Sequence, residues 1–196
     1  GPPTSVRTAI GAQEGDAVIT VTDAATVAQF NTIDGKTSSN VVLSGGISDT
    51  AANLAPSGTA SSGLTNATTQ DGDVAITITG TNPTVAELNK VASLTTGTVT
   101  ATISETISNL SSLSTASTDA ITTTVTDAAS VAQFNTLDAK TSVDIVLTGG
   151  VSDTAAAYAS SGGTTTSGLT AIGAQDGDAV ITVTDAATAT EGDTRE

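Results

Sequence analysis

The chain has 196 residues, of which 37% are apolar; it contains no Cys, Met, Trp or His and only two Phe and one Tyr. Asp and Glu outnumber Lys and Arg by 20 to 5, which gives a formal net charge of −15. We expect no nucleic-acid partner and no membrane insertion, because the sequence has neither a basic stripe nor an apolar run of about 18 residues. The missing Cys excludes disulfides and thiolate zinc sites, and the few large apolar side chains favour a thin core along an elongated body.

One motif recurs along the chain. The segment "VTDAATVAQFNTIDGKT" at 21–37 returns as "VTDAASVAQFNTLDAKT" at 125–141, and a diverged copy, "ITGTNPTVAELNKVASLT", lies at 78–95. A fourth copy starts at Val183 and then breaks off. Self-similarity at intervals of this size predicts a tandem array of repeats.

The two ends of the chain carry nearly the same sequence. Residues 8–26 and 170–188 differ at one position, Glu14 against Asp176. We therefore expect the ends to be equivalent parts of neighbouring repeats, and the chain to be a piece of a longer array. The predicted division is a vector-derived remnant or linker at 1–7, repeat 1 at 8–65, a diverged repeat 2 at 66–115, repeat 3 at 116–169 and the truncated start of repeat 4 at 170–196.

Each repeat is predicted to begin with a strand. In these segments Ile or Val alternates with Thr, and this period of two is typical of a strand with one more polar side. The first strands are predicted at residues 16–22, 73–79, 119–126 and 178–184.

A helix is predicted directly after the first strand, because three repeats carry a capping box. In each box a hydroxyl residue is followed three positions later by Gln or Glu, so that the two side chains satisfy N–H groups at the helix start reciprocally. The boxes are Thr26–Gln29, Thr84–Glu87 and Ser130–Gln133. Apolar residues at one-sided spacing behind them predict about three turns with one buried face, and they include Phe30 and Phe134 as core residues.

A second strand and a second, shorter helix complete the predicted repeat. The second strands are placed at 40–46, 98–104 and 143–150. Short helices are predicted at 47–55, 103–113 and 151–159, two of them after a Gly-Gly turn, with Tyr158 packed in the core. Their predicted caps are Ser48, Ser104 and Ser152, with Asp49, Glu105 and Asp153 near the positive helix end.

The order of these elements predicts an α/β fold. Strands recur about every 23 residues, or farther apart where the Gly/Ser/Thr-rich insertions at 56–70 and 160–175 intervene. Alternating strands and helices imply parallel pairing through right-handed crossovers. We expect an elongated, solenoid-like stack of strand–helix–strand–short helix units. A closed α/β domain and a string of all-β, immunoglobulin-like domains are the alternatives.

Three acid-Gly-Asp clusters are the candidate metal sites. Two carboxylates on a Gly-bent loop offer oxygen ligands of the kind that Ca²⁺ prefers. The competing interpretation is a turn that leads into a strand, since Asp-Gly is common in turns. The candidate calcium ligands are Glu14, Asp16, Asp71, Asp73, Asp176 and Asp178.

No catalytic constellation is visible in the sequence. Without His or Cys, the many Ser and Thr hydroxyls have no base to activate them. Asp34 and Asp138 occupy equivalent helix positions and could pair with Lys36 and Lys140, but an active site in every repeat would be unusual. The sequence therefore predicts that the protein is not an enzyme, and ice binding by exposed Thr rows is a lesser alternative.

The chain resembles the tandem-repeat regions of very large bacterial cell-surface proteins, of the adhesin and S-layer kind. The segments "VTDAATVAQFNTIDGKT", "LSGGISDTAANLA" and "TGTVTATIS" carry this likeness, with the Cys-free, acidic, Thr- and Ala-rich composition. The resemblance implies export to the cell surface, a structural or adhesive role, and rigidity that depends on Ca²⁺. The first hypothesis is a spacer whose partners are neighbouring repeats, with end-to-end self-association. The second is an adhesin segment that binds a glycan or another cell through its insertions.

Overall fold

The computed structural model describes residues 16–80 and 82–186, and over these ranges the fold is α/β. Eight α-helices and nine short strands are found there. The chain forms two compact units, residues 1–101 (the N-terminal unit) and 102–196 (the C-terminal unit), and the division falls within one strand. None of the helices in the described ranges is long and apolar enough to cross a membrane.

Strands and helices alternate in both units. The N-terminal unit contains β1 (Ile19–Thr20), α1 (Val27–Asp34), β2 (Val41–Val42), β3 (Ile47–Thr50), α2 (Ala51–Leu54), a 3₁₀ turn (Pro56–Gly58), α3 (Ser62–Gln70), β4 (Ile76–Thr79), α4 (Val85–Ala92) and the start of β5 (Val99–Glu105). The C-terminal unit contains the end of β5, α5 (Ile107–Leu110), β6 (Ala120–Val125), α6 (Val131–Asp138), β7 (Ile145–Leu147), β8 (Val151–Asp153), α7 (Ala155–Tyr158), α8 (Ser167–Gln175) and β9 (Ile181–Val183).

The paired strands of the described ranges run parallel to each other. In the N-terminal unit β1 pairs with β2, β3 with β4 and β4 with β5. In the C-terminal unit β6 lies between the end of β5 and β7, and β8 pairs with β9. Helices fill the crossovers that parallel neighbours require. The predicted α/β class and parallel pairing are confirmed, and the all-β alternative is wrong.

The core lies between the inward side of the strands and one face of each helix. Phe30 and Phe134 are fully buried, and Tyr158 is buried as well, which confirms their assignment to the core. Along β4, buried Ile76 and Ile78 alternate with exposed Thr77 and Thr79, as the period of two predicts. The outward side of the strands is therefore rich in Thr.

All three predicted capping boxes are present. Thr26, Thr84 and Ser130 are the N-caps of α1, α4 and α6, and each exchanges hydrogen bonds with the Gln or Glu three residues on. Each of these helices has eight residues, which is a little over two turns rather than the predicted three.

The second short helices begin later than predicted. Ser48, Ser104 and Ser152 cap no helix, because they lie within β3, β5 and β8. The helices α2, α5 and α7 start after Thr50, Thr106 and Thr154 and have four residues each. The reason is that "ISDT" and "VSDT" have the alternation of a strand, and parallel pairing with β4 and β9 takes up their backbone.

The two Gly/Ser/Thr-rich insertions contain helices that sequence reasoning missed. Ser61 and Thr166 cap α3 and α8 by accepting from the backbone N–H three residues on. Gly63 is buried on α3, and a Cβ at this position would overlap the Val27 side chain of α1. A Cβ at Gly168 of α8 would likewise overlap the Val131 side chain of α6. Small residues let these helices pack closely, and the same small residues hide the helical pattern in the sequence.

Candidate functional site

The acid-Gly-Asp cluster at residues 71–73 lies where α3 ends beside β2. Val41 N–H donates to Gln70 Oε1 at 2.7 Å, and Leu43 N–H donates to Asp71 Oδ2 at 2.7 Å. The amide Nε2 of Gln70 donates to Asp34 Oδ1 at 2.5 Å. The N–H groups of Val41 in β2 and of Leu43 directly after it thus donate to side-chain oxygens, in the place where a paired strand would offer backbone carbonyls. We call Gln70 with Asp71, and its counterpart below, the Gln–Asp pair.

The C-terminal unit repeats this arrangement. Ile145 N–H donates to Gln175 Oε1 at 2.9 Å, and Leu147 N–H donates to Asp176 Oδ2 at 2.5 Å. The Nε2 of Gln175 donates to Asp138 Oδ1. Asp34 and Asp138, which the sequence analysis placed near Lys36 and Lys140, therefore orient the glutamines of the two Gln–Asp pairs.

These contacts bear on the predicted calcium ligands. Asp71 and Asp176 each use one carboxylate oxygen to hold a strand N–H, whereas Asp16, Asp73 and Asp178 are exposed. Glu14 lies outside the described residues. In the described ranges no group of three or more His, Cys, Asp or Glu side chains could hold a metal ion. Calcium binding stays a prediction. Asp71 and Asp176 also have a structural role, because each binds an N–H group of a strand.

A second set of carboxylates binds helix N-termini. The buried carboxylate of Asp49 accepts from Val27 N–H, the first residue of α1, at 3.0 Å. Its other oxygen accepts from Thr50 N–H at 2.8 Å and from Asn53 Nδ2 at 2.7 Å. A helix leaves its first N–H groups without intrahelical partners, and its positive end favours an anion, so this buried charge is compensated.

The same contact occurs three times in the C-terminal unit. Asp153 Oδ2 accepts from Val131 N–H, the first residue of α6, at 3.1 Å. Asp127 and Asp185 each accept, through Oδ1 at 2.6 Å, from the first N–H group of a short helix, Ile107 of α5 and Ala155 of α7 respectively. Each carboxylate lies in, or just after, a strand that comes later in the chain than the helix it caps. We call these four residues the carboxylate caps; together they bind successive strand–helix segments to one another.

Asp49 and Asp153 lie at the starts of α2 and α7, as predicted, and their Oδ1 atoms accept from the N–H groups of the N-caps Thr50 and Thr154. The sequence did not indicate that their Oδ2 atoms also reach back to α1 and α6. A signal was available, since both aspartates stand 22 residues after the valine whose N–H they accept. This interval of 22 residues points to the contact only when the first residue of the helix is known. The capping boxes of α1 and α6 give that first residue.

A shallow cleft of about 230 Å³ in the N-terminal unit is lined by Thr50, Ala51, Ala52, Thr79, Asn82, Pro83 and Glu87. Of these, Glu87 alone is ionisable. Its carboxylate accepts from Thr84 N–H at 2.8 Å and from Thr84 Oγ1 at 3.0 Å within the capping box of α4. The carboxylate is thus committed to the helix cap, and the lining offers no base to activate its two Thr hydroxyls.

The Gln–Asp pairs and the carboxylate caps share one chemical character. In each set a side-chain oxygen accepts from the backbone N–H of a segment distant in sequence, so the arrangement holds the polypeptide to itself. Hydrogen bonds of this kind to a charged acceptor are short and strong. Comparison of the chain with known proteins finds no matching family model, no matching curated protein and no matching solved structure.

Proposed function

We propose that the chain is a non-catalytic structural module, a spacer or stalk within a secreted or cell-surface bacterial protein. In this proposal the strand–helix units continue as an α/β solenoid, and the partners of each unit are its neighbours in the same parent chain. Secretion is supported by the Cys-free, acidic composition and by the resemblance to cell-surface repeat regions.

The observation that carries the proposal is the recurrence of the same contacts in both units. Asp49 with Val27, and Asp153 with Val131, span the same 22 residues. Leu43 with Asp71, and Leu147 with Asp176, span 28 and 29 residues. Each contact joins one strand–helix segment to the next, which is how a solenoid repeat obtains stability from its neighbours. A mechanical role needs this kind of repeated bond and no reactive group.

The absence of a catalytic role is supported by what the carboxylates do. Asp49, Asp71, Asp153 and Asp176 are committed to backbone N–H groups, and the sequence holds no His or Cys. A carboxylate that accepts from a structural backbone donor is poorly placed to exchange protons with a substrate. The same carboxylates are well placed to stiffen the chain.

The near-identity of the two ends allows a direct test of the solenoid. Residues 8–169 can be joined head to tail in two, three and four copies, because residue 170 restarts the sequence of residue 8. In the proposed stack, β1 to β9 occupy seven levels, with β2 and β3 sharing one level and β7 and β8 another. Six steps at the usual strand spacing add about 29 Å per copy. Small-angle X-ray scattering should therefore show a maximum dimension that increases linearly with copy number.

A matched series separates a continuous stack from linked globules. In the control series a flexible Gly/Ser linker joins the same copies, and its maximum dimension should be larger and its distance distribution broader. Head-to-tail chains that scatter like the linked series, or whose maximum dimension stops growing, would contradict the proposal.

A further inference from the structure

The strand β9 is hydrogen-bonded to β8 along one of its two edges. Val151 N–H donates to Val180 O at 2.8 Å, and Thr184 N–H donates to Asp153 O at 2.9 Å. Successive residues of a strand direct their N–H and C=O groups to opposite edges. The backbone groups of Ile181 and Val183 therefore point away from β8, and no described strand pairs with β9 on that side. We call this side the outer edge of β9.

The same sequence occurs in β1 and its flanking residues, where the equivalent edge is covered. Val183 corresponds to Val21, because residues 170–188 repeat residues 8–26. Val21 N–H donates to Val42 O at 2.8 Å, and Val21 O accepts from Gly45 N–H at 3.0 Å. Residues 42–45 therefore show which kind of segment pairs with this edge of the repeated strand.

Burial of the side chains differs in the same sense. Val21, beside β2, is 9% exposed, whereas Val183 is only partly buried. Ile181 and its counterpart Ile19 in β1 are both partly buried, so the difference in burial lies at Val183. A segment placed on the outer edge of β9 would cover apolar surface as well as pair backbone groups.

From these observations we infer that the outer edge of β9 is a docking site for one extended segment with the sequence pattern of residues 40–48. This inference rests on the proposed function, because the segment would belong to the following repeat. The required features are apolar residues at the positions of Val41 and Leu43, followed by Gly-Gly. A Cβ at Gly45 would overlap the backbone of Asp23, so glycine is needed where the segment passes Asp185, the counterpart of Asp23.

A folded second copy of the chain does not offer this segment. Its Val42 O already accepts from Val21 N–H, and its Val41 and Leu43 N–H groups are held by Gln70 and Asp71. The occupant is therefore a segment that has yet to pair, as in the next repeat of a parent chain.

The test extends the full chain by its own sequence. Residues 189–196 are replaced with a copy of residues 27–50, which restores the order seen after Thr26, and amide hydrogen exchange is measured residue by residue. Docking should slow exchange at Val183 at least tenfold relative to the original chain. Thr184, whose N–H already donates to Asp153, is the internal reference and should change little.

A matched extension carries Gly45→Val and Gly46→Val in the appended copy alone. This extension should leave exchange at Val183 as fast as in the original chain. The inference is overturned if the unaltered extension fails to slow Val183, or if the valine extension slows it equally. Because scattering from the head-to-tail series does not depend on Val183 exchange, a linear series with an unprotected Val183 would leave the spacer proposal standing and remove this one.

Discussion

The two units retain the same carboxylate cap and differ in what surrounds it. Asp49 accepts from Val27 N–H, Thr50 N–H and Asn53 Nδ2, whereas Asp153 accepts from Val131 N–H and Thr154 N–H. The C-terminal unit has Ala157 where the N-terminal unit has Asn53. Asp49 is accordingly buried and Asp153 half-buried. The comparison indicates that the bond to the helix N-terminus is the essential contact and that the asparagine reinforces it.

The turns that follow the short helices differ more. Leu54 ends α2, and Tyr158 at the same place in α7 remains buried while its hydroxyl donates to Thr182 O at 3.1 Å. The next turn is a 3₁₀ turn in the N-terminal unit with both Ser57 and Gly58 at positive φ, whereas in the C-terminal turn Gly163 alone has a positive φ among the described residues. Yet Gly63 and Gly168 make the same close approach in both units. The close contacts between helices are therefore kept, and the turns that precede them vary.

The largest loss of stability is expected from substitution of the two glycines that lie against the backbone of another segment of the chain, Gly45 and Gly149. In Gly45→Ala and Gly149→Ala the new Cβ would overlap the backbone of Asp23 and Asp127, which cannot shift without disturbing the parallel strands. Each substitution should lower the free energy of unfolding by about 3 kcal/mol. Urea unfolding of each variant measures this.

Gly35→Ala is the matched control for that pair. A Cβ at Gly35 would lie 3.4 Å from Asn31 O, an ordinary contact, and the C-terminal unit already has Ala139 at this place. The free energy of unfolding should change by less than about 0.5 kcal/mol. Equal losses from Gly35→Ala and Gly45→Ala would show that close approach at Gly45 is not the cause.

Removal of a carboxylate cap should give the next largest loss of stability, and the loss should be greater at Asp49 than at Asp153. Asp49→Ala leaves three donors without their acceptor and should cost about 2.5 kcal/mol, whereas Asp153→Ala leaves two and should cost about 1.5 kcal/mol. In an Asn53→Ala background the cost of Asp49→Ala should fall towards that of Asp153→Ala. A double-mutant cycle by urea unfolding measures the difference, and equal costs in the original background would contradict the reinforcing role of Asn53.

The parts of this fold that follow from local rules could be predicted from the sequence. The boxes at Thr26, Thr84 and Ser130 fixed the starts of α1, α4 and α6, because a capping box involves residues only three positions apart. The burial of Phe30 and Phe134 followed from helical spacing. Parallel pairing followed from the alternation of strands and helices.

The parts that depend on distant partners could not be predicted. Asp49 binds a helix 22 residues earlier, and Gln70 binds a strand 29 residues earlier, so neither contact leaves a local pattern. The insertion helices α3 and α8 were hidden because their packing uses Gly63 and Gly168, residues that weaken a helical signal. The candidate site is built almost wholly from such contacts.

A smaller, stabilising effect is expected in β6. Its inward residue Thr123 is fully buried, and its Oγ1 finds no hydrogen-bond partner among the described residues, whereas the inward positions of β4 in the N-terminal unit are the apolar Ile76 and Ile78. Thr123→Val keeps the shape and removes the unpaired hydroxyl, so the free energy of unfolding should rise by about 1 kcal/mol. The exposed neighbour Thr122→Val is the control and should be nearly neutral. A loss of stability in Thr123→Val would mean that the hydroxyl is satisfied in solution.

The smallest effect is expected at the turn that distinguishes the two units. Both turns contain a glycine at positive φ, Gly58 at +76° and Gly163 at +77°, but the N-terminal turn also holds Ser57 at φ +52°, a left-handed conformation that L-residues with a side chain disfavour. Ser57→Gly relieves this strain but gives the unfolded chain more freedom, so the net gain should be about 0.5 kcal/mol. Ser161→Gly, in the corresponding turn, relieves no such strain and should lower stability by a similar amount. Thermal unfolding of the two variants should therefore shift in opposite directions. A shift in the same direction would show that the turn of the N-terminal unit tolerates Ser57 without strain, because then only the entropy of the unfolded chain would distinguish serine from glycine.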